Sequence, residues 1–218
     1  MPTAPDPAPP PTIDFRDPSI AWTAGFADAA LYMTDQIGFV AERRPLPAPL
    51  QGSALYQYGY NTSDDLCMWF AFSRPGFDPA KEYAVAFDVG IASDAGLACE
   101  AGTAVATYVK AGASSYLPGR VEVNGYWQMN VDKGVPPAGD GRQALALGDI
   151  RNDIPGCPST NRPWGERSLS SGSREIRVRP SNDGTIWFFV MTDSGFESPY
   201  QLYFTFLNLR IRAVPPTG

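Results

Sequence analysis

The sequence predicts an all-β fold, an antiparallel two-sheet β-sandwich of jelly-roll type. Segments 185–192 and 201–213 are dense in β-branched and aromatic residues, as a half-buried pleated surface prefers, and an acidic turn at 193–197 separates them. From Phe15 onward, short apolar or alternating segments recur between clusters of Gly, Pro, Asn and Asp. No long segment with a helical period competes with this pattern. We interpret the two C-terminal segments as a pair of strands.

Nine segments have the composition of strands: 54–60, 66–73, 83–92, 104–111, 126–131, 143–150, 175–178, 186–192 and 202–211. Within 83–89 the large side chains occupy alternate positions, which predicts that they share one face and point into a core. The sequence Asn182-Asp183-Gly184 predicts a hairpin turn between segments 175–178 and 186–192. This number of strands favours two stacked sheets.

The remaining segments separate into an ambiguous stretch, loops and a linker. Segment 26–40 fits a short helix in its first part and a strand in its second, and both alternatives stay open. Three alternating prolines at 45–49 preclude a central strand, and 136–141 and 153–165 are predicted loops. Six of the first twelve residues are proline, so residues 1–14 are predicted to form an extended linker or tether before a single domain at 15–214.

Composition narrows the classes of function. The chain has no histidine, which excludes Ser-His-Asp and Cys-His catalysis and imidazole metal sites. Its net charge is −6 and it has no run of five basic residues, so nucleic acid is not an expected partner. No segment approaches the roughly 18 apolar residues of a membrane-spanning helix, so no transmembrane segment is expected. The oligomeric state is left open.

The three cysteines match no zinc-ligand spacing. Cys67 lies in an apolar run and is expected to be buried. Cys99 and Cys157 lie in loop-like sequence, and we predict a disulfide between them; the alternative is three reduced thiols. A disulfide is typical of an exported protein.

Segments of the sequence resemble two groups of known proteins. The last strand, LYFTFLNLRI (202–211), resembles the closing strand of galactose-binding-like jelly rolls found in carbohydrate-binding modules. Segments YGYNTSDDL (58–66), YVKAGA (108–113), NVDKG (130–134) and TDSGFE (192–197) together resemble an uncharacterised family of secreted bacterial proteins, often lipoproteins. The second resemblance implies export, to a secreted or cell-envelope location, and implies no activity. The Pro-rich N-terminal segment is what we expect to remain after removal of a signal peptide.

Acidic residues in turns suggest a cation site. Asp64, Asp65 and Asp193 are candidate ligands for a structural Ca²⁺, because loop carboxylates are the oxygen ligands that a hard cation prefers. The alternative is that these carboxylates bond to their own turns. No other cofactor is expected.

The candidate ligand-binding residues are polar groups beside aromatic rings. Asp132, Lys133, Asp193 and Glu197 are predicted to orient a glycan or another extracellular ligand, while Trp127 or Trp164 stacks on its apolar face. Tyr116 and Tyr126 belong to the same aromatic set. The alternative for Trp164 is a lid folded over the core.

Two further functions stay open. One is a histidine-free enzyme acting on glycans, a carboxylate-dependent hydrolase or a lyase with Tyr126 or Lys133 as base. The other is a surface structural or assembly protein. In the simplest interpretation, Lys133 with Asp132 and Arg120 with Glu122 are surface ion pairs.

Overall fold

A computed structural model describes residues 12–215, and nearly all of its regular structure is antiparallel β. The strands are β1 (Ile13–Asp14), β2 (Thr23–Ala27), β3 (Ala29–Ala30), β4 (Val40–Pro45), β5 (Ser53–Tyr60), β6 (Leu66–Arg74), β7 (Tyr83–Ser93), β8 (Thr107–Ser114), β9 (Arg120–Val123), β10 (Tyr126–Met129), β11 (Ala144–Asp149), β12 (Gly165–Ser170), β13 (Ile176–Val178), β14 (Ile186–Ser194) and β15 (Pro199–Ala213). The helical elements are a 3₁₀ helix at Leu31–Gln36 and the single-turn helix α1 at Thr103–Ala106.

Two large sheets form a β-sandwich of jelly-roll type, as the sequence predicts. The seven-stranded sheet has the order β12-β7-β15-β5-β4, with β1 paired to β15 and β13 paired to β7. The five-stranded sheet has the order β11-β8-β14-β6-β2. Every pairing in both sheets is antiparallel.

The main core lies between the two sheets. It contains Phe87 and Phe204 from the seven-stranded sheet and Phe70 and Phe188 from the five-stranded sheet, all fully buried. The rings of Phe70 and Phe204 meet edge to face with centroids 6.1 Å apart, so they link the sheets directly. The alternating large residues of β7 point into this core, as predicted.

A third, small sheet covers the outer face of the five-stranded sheet. It has the order β3-β10-β9, and the segment after it continues across the same face. Met129 and Val131 pack there on Trp69, Phe189 and Met191, the outward-facing residues of β6 and β14. The five-stranded sheet is therefore buried on both faces.

Two predicted strand pairings are wrong. β14 belongs to the five-stranded sheet and β15 to the seven-stranded sheet, so the acidic turn at 193–197 crosses between the sheets. The turn at 182–184 likewise joins β13 to a strand of the other sheet. The tight turn itself forms, because Gly184 adopts φ 79° and its N–H donates to the Ser181 carbonyl at 2.9 Å. Sequence indicates a turn, whereas packing decides which sheet receives the next strand.

The ambiguous and terminal segments also take definite form. Segment 26–40 differs from both expectations: its first part holds the end of β2 and β3 instead of a helix, the 3₁₀ helix follows at Leu31–Gln36, and β4 begins only at Val40. The prolines at the end of β4 lie at a sheet edge. Most of the predicted linker lies outside the described residues, but Ile13 is buried and pairs with Leu207, so the ordered domain begins before residue 15. No helix within residues 12–215 is long and apolar enough to cross a membrane.

We expect Phe204→Ala to lower the free energy of unfolding by about 3–5 kcal/mol, because it removes a fully buried ring and leaves a cavity between the sheets. Urea denaturation measures the change. Phe196→Ala is the matched control, since its ring is 44% exposed and the loss there is expected to stay below about 1 kcal/mol. Equal losses in the two variants would contradict the assignment of the core.

Candidate functional site

An open cleft of about 490 Å³ lies where β15 begins, beside the loops that follow β7 and β11. Its walls come from the outer end of β5, the turn between β14 and β15, and the loops at 94–104 and 157–162. The volume is within the range of small-molecule sites.

Aromatic rings line two sides of this cleft. Phe196 projects from the turn between β14 and β15, and its ring is 44% exposed. Tyr58, half-buried, stands on the outer face of β5. The turn is fixed on both sides of the ring. Before it, Gly195 N–H donates to the Ala106 carbonyl at 2.9 Å and Asn61 Nδ2 donates to the Ser194 carbonyl at 2.7 Å; after it, the Asn61 backbone N–H donates to the Ser198 carbonyl at 3.1 Å. Phe196 is therefore held out as an accessible flat surface.

Polar groups of three kinds share the cleft with these rings. The Asp94 carboxylate forms no hydrogen bond or ion pair with any other described residue, although it is half-buried. Arg162 is exposed, and within residues 12–215 its one hydrogen bond is donated by Nε to the Pro158 carbonyl at 3.3 Å. Gln201 accepts from the Tyr56 hydroxyl at 2.8 Å, which holds its side chain in place. The cleft thus offers a carboxylate, a guanidinium and an amide.

A disulfide between Cys99 and Cys157 closes the loop side of the cleft. The same loops are held by the buried Asn152, whose Nδ2 donates to the Ser93 carbonyl at 2.8 Å and whose Oδ1 accepts from Ile154 N–H at 2.9 Å. Leu97 N–H also donates to the Ile154 carbonyl. This is the disulfide that the sequence analysis expects, and it preorganises one wall of the cleft.

A second polar group of residues lies behind the turn, on the outer face of the five-stranded sheet. Asp193 is completely buried, and its Oδ2 lies 2.8 Å from Lys110 Nζ and 2.9 Å from Lys133 Nζ. Lys133 also contacts Asp28 at 3.0 Å and Asp65 at 3.8 Å. We call these five residues the charge cluster.

The charge cluster perturbs the ionisation of its more accessible members. Burial raises the pKa of Asp65 to about 7, assisted by the negative charges of Asp28 and Asp193 and opposed by Lys133. Burial alone would lower the pKa of Lys133, but the surrounding carboxylates, led by Asp193, outweigh it and the pKa is raised. Lys133 therefore stays an ammonium at neutral pH.

Lys110 joins the charge cluster to the covering segment. Its Nζ donates to the carbonyls of Lys133 and Gly139, each at 3.0 Å, in addition to Asp193. These bonds tie the loop after β10 to the centre of the five-stranded sheet. Lys110 is not among the site residues predicted from sequence. The signal that could have identified it is a single lysine among the small residues that end β8.

The structure therefore does not bring the four polar residues predicted to bind a ligand together in one site. Asp193 and Lys133 are enclosed in the charge cluster and do not reach a ligand at the surface. Asp132 lies outside it, where a hydrogen bond from Arg142 at 2.9 Å lowers its carboxyl pKa. Glu197 is exposed on the turn and forms no hydrogen bond or ion pair within residues 12–215. The surface ion pair of Lys133 with Asp132 is wrong, because Lys133 points inward.

The predicted aromatic residues are equally scattered. Trp164 is half-buried and packs edge to face on Tyr203, an outward-facing residue of β15, with centroids 5.3 Å apart, so it covers the outer face of the seven-stranded sheet and not the core between the sheets. Trp127 donates to the Thr34 hydroxyl at 3.1 Å. Tyr116 donates to the Asn130 carbonyl, while Tyr126 is half-exposed on β10.

Arg120 does not form the expected ion pair with Glu122. Its guanidinium carbon lies 4.3 Å from the ring centroid of Trp127 and 4.6 Å from that of Phe26. The guanidinium lies between two rings, that of Trp127 on the paired strand β10 and that of Phe26 on β2 of the five-stranded sheet beneath it.

The candidate calcium ligands do not come together as a set. Asp64 is exposed at φ 60° in a turn, Asp65 belongs to the charge cluster, and Asp193 is ion-paired to both lysines. Among residues 12–215 there is no group of three or more carboxylate or thiol side chains placed to hold a metal ion. A structural Ca²⁺ stays a prediction from sequence.

Comparisons with known proteins give similarities of structure. No protein-family model and no curated protein matches the sequence. A solved structure from a study of promiscuous specificity in carbohydrate-binding modules of the β-sandwich superfamily aligns at a TM-score of 0.44 and 8% identity. That match covers 91% of this chain and 60% of the other, so the chain spans less than two thirds of that protein.

Two further matches cover nearly the whole of both chains. The family 11 carbohydrate-binding module of the cellulosomal cellulase Lic26A-Cel5E of Clostridium thermocellum has a TM-score of 0.39 and 12% identity, over 95% of this chain and 96% of that one. A family 28 module specific for non-crystalline cellulose has a TM-score of 0.36 and 10% identity, over 97% and 99%. At these identities the comparisons assign a role to no residue of this chain.

We expect the double variant Cys99→Ser with Cys157→Ser to lose about 4 kcal/mol of stability, because the disulfide spans a sequence separation of 58 residues. Urea denaturation with and without reductant measures the loss, and reductant should then have no effect on the double variant. Thiol counting under non-reducing conditions should find one cysteine, Cys67, after unfolding. Three free thiols would contradict the disulfide.

We expect the stability of the protein to fall between about pH 3.8 and pH 7 through Asp65, since its pKa is higher in the folded chain than the unfolded value of 3.8. Its contribution is complete below the unfolded pKa and is lost as pH rises through about 7. Asp65→Asn should therefore be more stable than the native chain at pH 8, by about 1–2 kcal/mol after allowance for its exposed third.

Denaturation curves from pH 4 to pH 9 test this dependence. Asp64→Asn is the matched control, because the adjacent carboxylate is exposed and asparagine tolerates its positive φ. An identical pH profile for the native chain and Asp65→Asn would contradict the expected titration.

Proposed function

We propose that this chain is a ligand-binding module that takes a carbohydrate in the cleft beside β15. The observation that carries the proposal is the pairing of an exposed ring, Phe196, with a carboxylate that has no partner among the described residues, Asp94, in one open cleft. A sugar presents an apolar face to a flat ring and hydroxyl groups to polar side chains, so this pairing suits it.

The chemistry of the other lining groups supports a neutral, polyhydroxylated ligand. Asp94 accepts hydrogen bonds, Arg162 donates them, and Gln201 contributes an amide; all three line the cleft. Hydroxyl groups act as both donors and acceptors, so one sugar can satisfy groups of both kinds. A net charge of −6 disfavours a polyanion as the partner.

This proposal moves the site relative to the sequence prediction. The turn at 193–197 still contributes, but through the ring of Phe196, because Asp193 points into the charge cluster. Trp127 and Trp164 are packed on other side chains and do not line the cleft. Tyr58 supplies the second ring in their place.

An exported location accompanies the proposed function. A disulfide persists in oxidising compartments, and Cys99 and Cys157 are bonded. Extracellular and cell-envelope glycans are available in the same compartments. The tether predicted at the N-terminus and the resemblance to a secreted family would agree with this location.

Binding fits the cleft better than the hydrolase or lyase alternative. Among the described residues that line the cleft, Asp94 is the single carboxylate, whereas glycoside hydrolysis uses a pair about 5–10 Å apart. The two candidate lyase bases lie away from the cleft: Tyr126 is on the hairpin formed by β9 and β10, and Lys133 is in the charge cluster.

We expect a soluble oligosaccharide from a panel of neutral glycans to raise the midpoint of thermal unfolding, because a ligand bound only by the native state stabilises it. Phe196→Ala should weaken that binding by about tenfold in calorimetric titration, the value of one lost stacking contact. Asp94→Asn should weaken it as well. Parallel samples with Ca²⁺ and with EDTA test for the predicted cation.

Tyr126→Ala is the matched control, because it removes another half-exposed ring from a surface outside the cleft and should leave affinity unchanged. Binding that survives Phe196→Ala and Asp94→Asn would place the site elsewhere. No response to any glycan would overturn the proposal and favour the assembly alternative.

A further inference from the structure

Lys110 and Asp193 lie side by side on the two central strands of the five-stranded sheet. β8 and β14 pair so that Lys110 is opposite Met191 and Asp193 is opposite Tyr108. The two side chains therefore emerge from the same face, diagonally across one step of the ladder. Both side chains are fully buried, and Lys110 Nζ lies 2.8 Å from Asp193 Oδ2.

The surroundings exclude water from this contact. Cys67, Trp69, Phe189 and Met191 are buried on the same face of the sheet, beneath the covering segment. An ammonium and a carboxylate are costly to hold in such a place, even as a pair. Asp193 also has a second oxygen, Oδ1, that is buried and receives no hydrogen bond.

We propose that Lys110 and Asp193 condense to form an intramolecular amide bond between Lys110 Nζ and Asp193 Cγ. The reactants are already held at hydrogen-bond distance, which replaces a bimolecular encounter by a preset geometry. Exclusion of water protects the product from hydrolysis. The amide replaces two buried charges with one neutral group.

The reaction needs no external reagent. A proton passes from the Lys110 ammonium to the carboxylate, and the neutral amine attacks Cγ to form the N–C bond. A second proton then leaves the nitrogen, and Oδ2 departs with both protons as water. One hydrogen stays on the amide nitrogen, where it can still donate to the carbonyl of Lys133 or Gly139.

Lys133 and Asp28 are placed to assist the departure of water. Lys133 Nζ contacts Oδ2 of Asp193, the departing oxygen, at 2.9 Å, and Oδ2 of Asp28 at 3.0 Å. The amine passes its second proton directly to Asp193 Oδ2, 2.8 Å away, while the Lys133 ammonium stabilises the charge that develops on that oxygen and Asp28 holds Lys133 in place. Both residues end unchanged, so they are positioning residues that are not consumed.

Lys110 is assigned as the nucleophile rather than Lys133. Asp193 is the single carboxylate within ion-pair distance of Lys110 among the described residues, while Lys133 is shared by Asp193, Asp28 and Asp65. Loss of the Lys133 charge would leave Asp28 without its counterion. Loss of the Lys110 charge is matched by loss of the Asp193 charge in the same reaction.

The test is the intact mass of the full chain after folding, reduction and unfolding. The native chain should be lighter by one water than its sequence requires, and Lys110→Met should have its full mass. Lys81→Met is the matched control; its lysine lies outside the charge cluster, so this variant should lose one water relative to its own sequence. Asp28→Asn, which retains a residue suited to positive φ, should slow the appearance of the lighter species at least tenfold.

Peptide mapping identifies the atom that reacts. Digestion of the lighter species should yield a branched peptide joining the segments that carry Lys110 and Asp193. Cyclisation of Asp193 onto the next backbone nitrogen also releases water, but it gives a linear peptide and persists in Lys110→Met. A linear peptide, a branch at Lys133, or full mass after prolonged incubation of the folded chain would each overturn the proposal. The native chain alone decides the question if Lys110→Met does not fold.

Discussion

The third sheet and the loop after β10, which together cover the five-stranded sheet, depend on the ion pairs that the buried Asp193 carboxylate forms with Lys110 and Lys133. The outer face of the five-stranded sheet is apolar, and the β9–β10 hairpin and the loop after it must stay on that face to keep it from water. The loop is held by Lys110, through two backbone carbonyls, and by Lys133, which belongs to the loop itself. Because Asp193 is the ion-pair partner that the two lysines share, removal of its carboxylate would leave both buried ammonium groups with fewer partners, a costly arrangement.

The same residue links this layer to the cleft. Asp193 comes near the end of β14, and Phe196 follows three positions later, in the turn to β15. Between them, Ser194 accepts from Asn61 through its carbonyl and from Thr107 through its hydroxyl, at 2.7 and 2.9 Å. The turn therefore leaves the sheet from a fixed point, and the ring of Phe196 is placed by contacts buried beneath it. A change that disrupts the charge cluster would therefore also displace the turn that holds Phe196 at the cleft.

Much of the fold could be predicted because strand alternation is a local property. The inward-facing side chains of β7 could be predicted from the alternation of large residues alone, and strands β14 and β15 from their aromatic content. The site could not be predicted in the same way. Lys133 follows an exposed aspartate in a loop, and only the position of β14 and β8 beneath that loop turns its side chain inward. Likewise, β9 escaped prediction because it has four residues, all of them exposed, and β12 because Leu169 is its single large apolar residue.

The arrangement of layers also explains why the cleft lies at the end of the sandwich rather than on a sheet face. The third sheet covers the centre of the outer face of the five-stranded sheet, and the pocket that remains beside β2 is smaller than the cleft, about 360 Å³, with Arg120 already stacked on Phe26 beside it. The seven-stranded sheet has an open groove of about 580 Å³, but there Arg210 pairs with Asp88 and Arg212 with Glu175. A polar ligand in that groove would compete with partners already present. In the cleft, the Asp94 carboxylate has no competing partner among the described residues, so a hydroxyl group that binds it gives up only water.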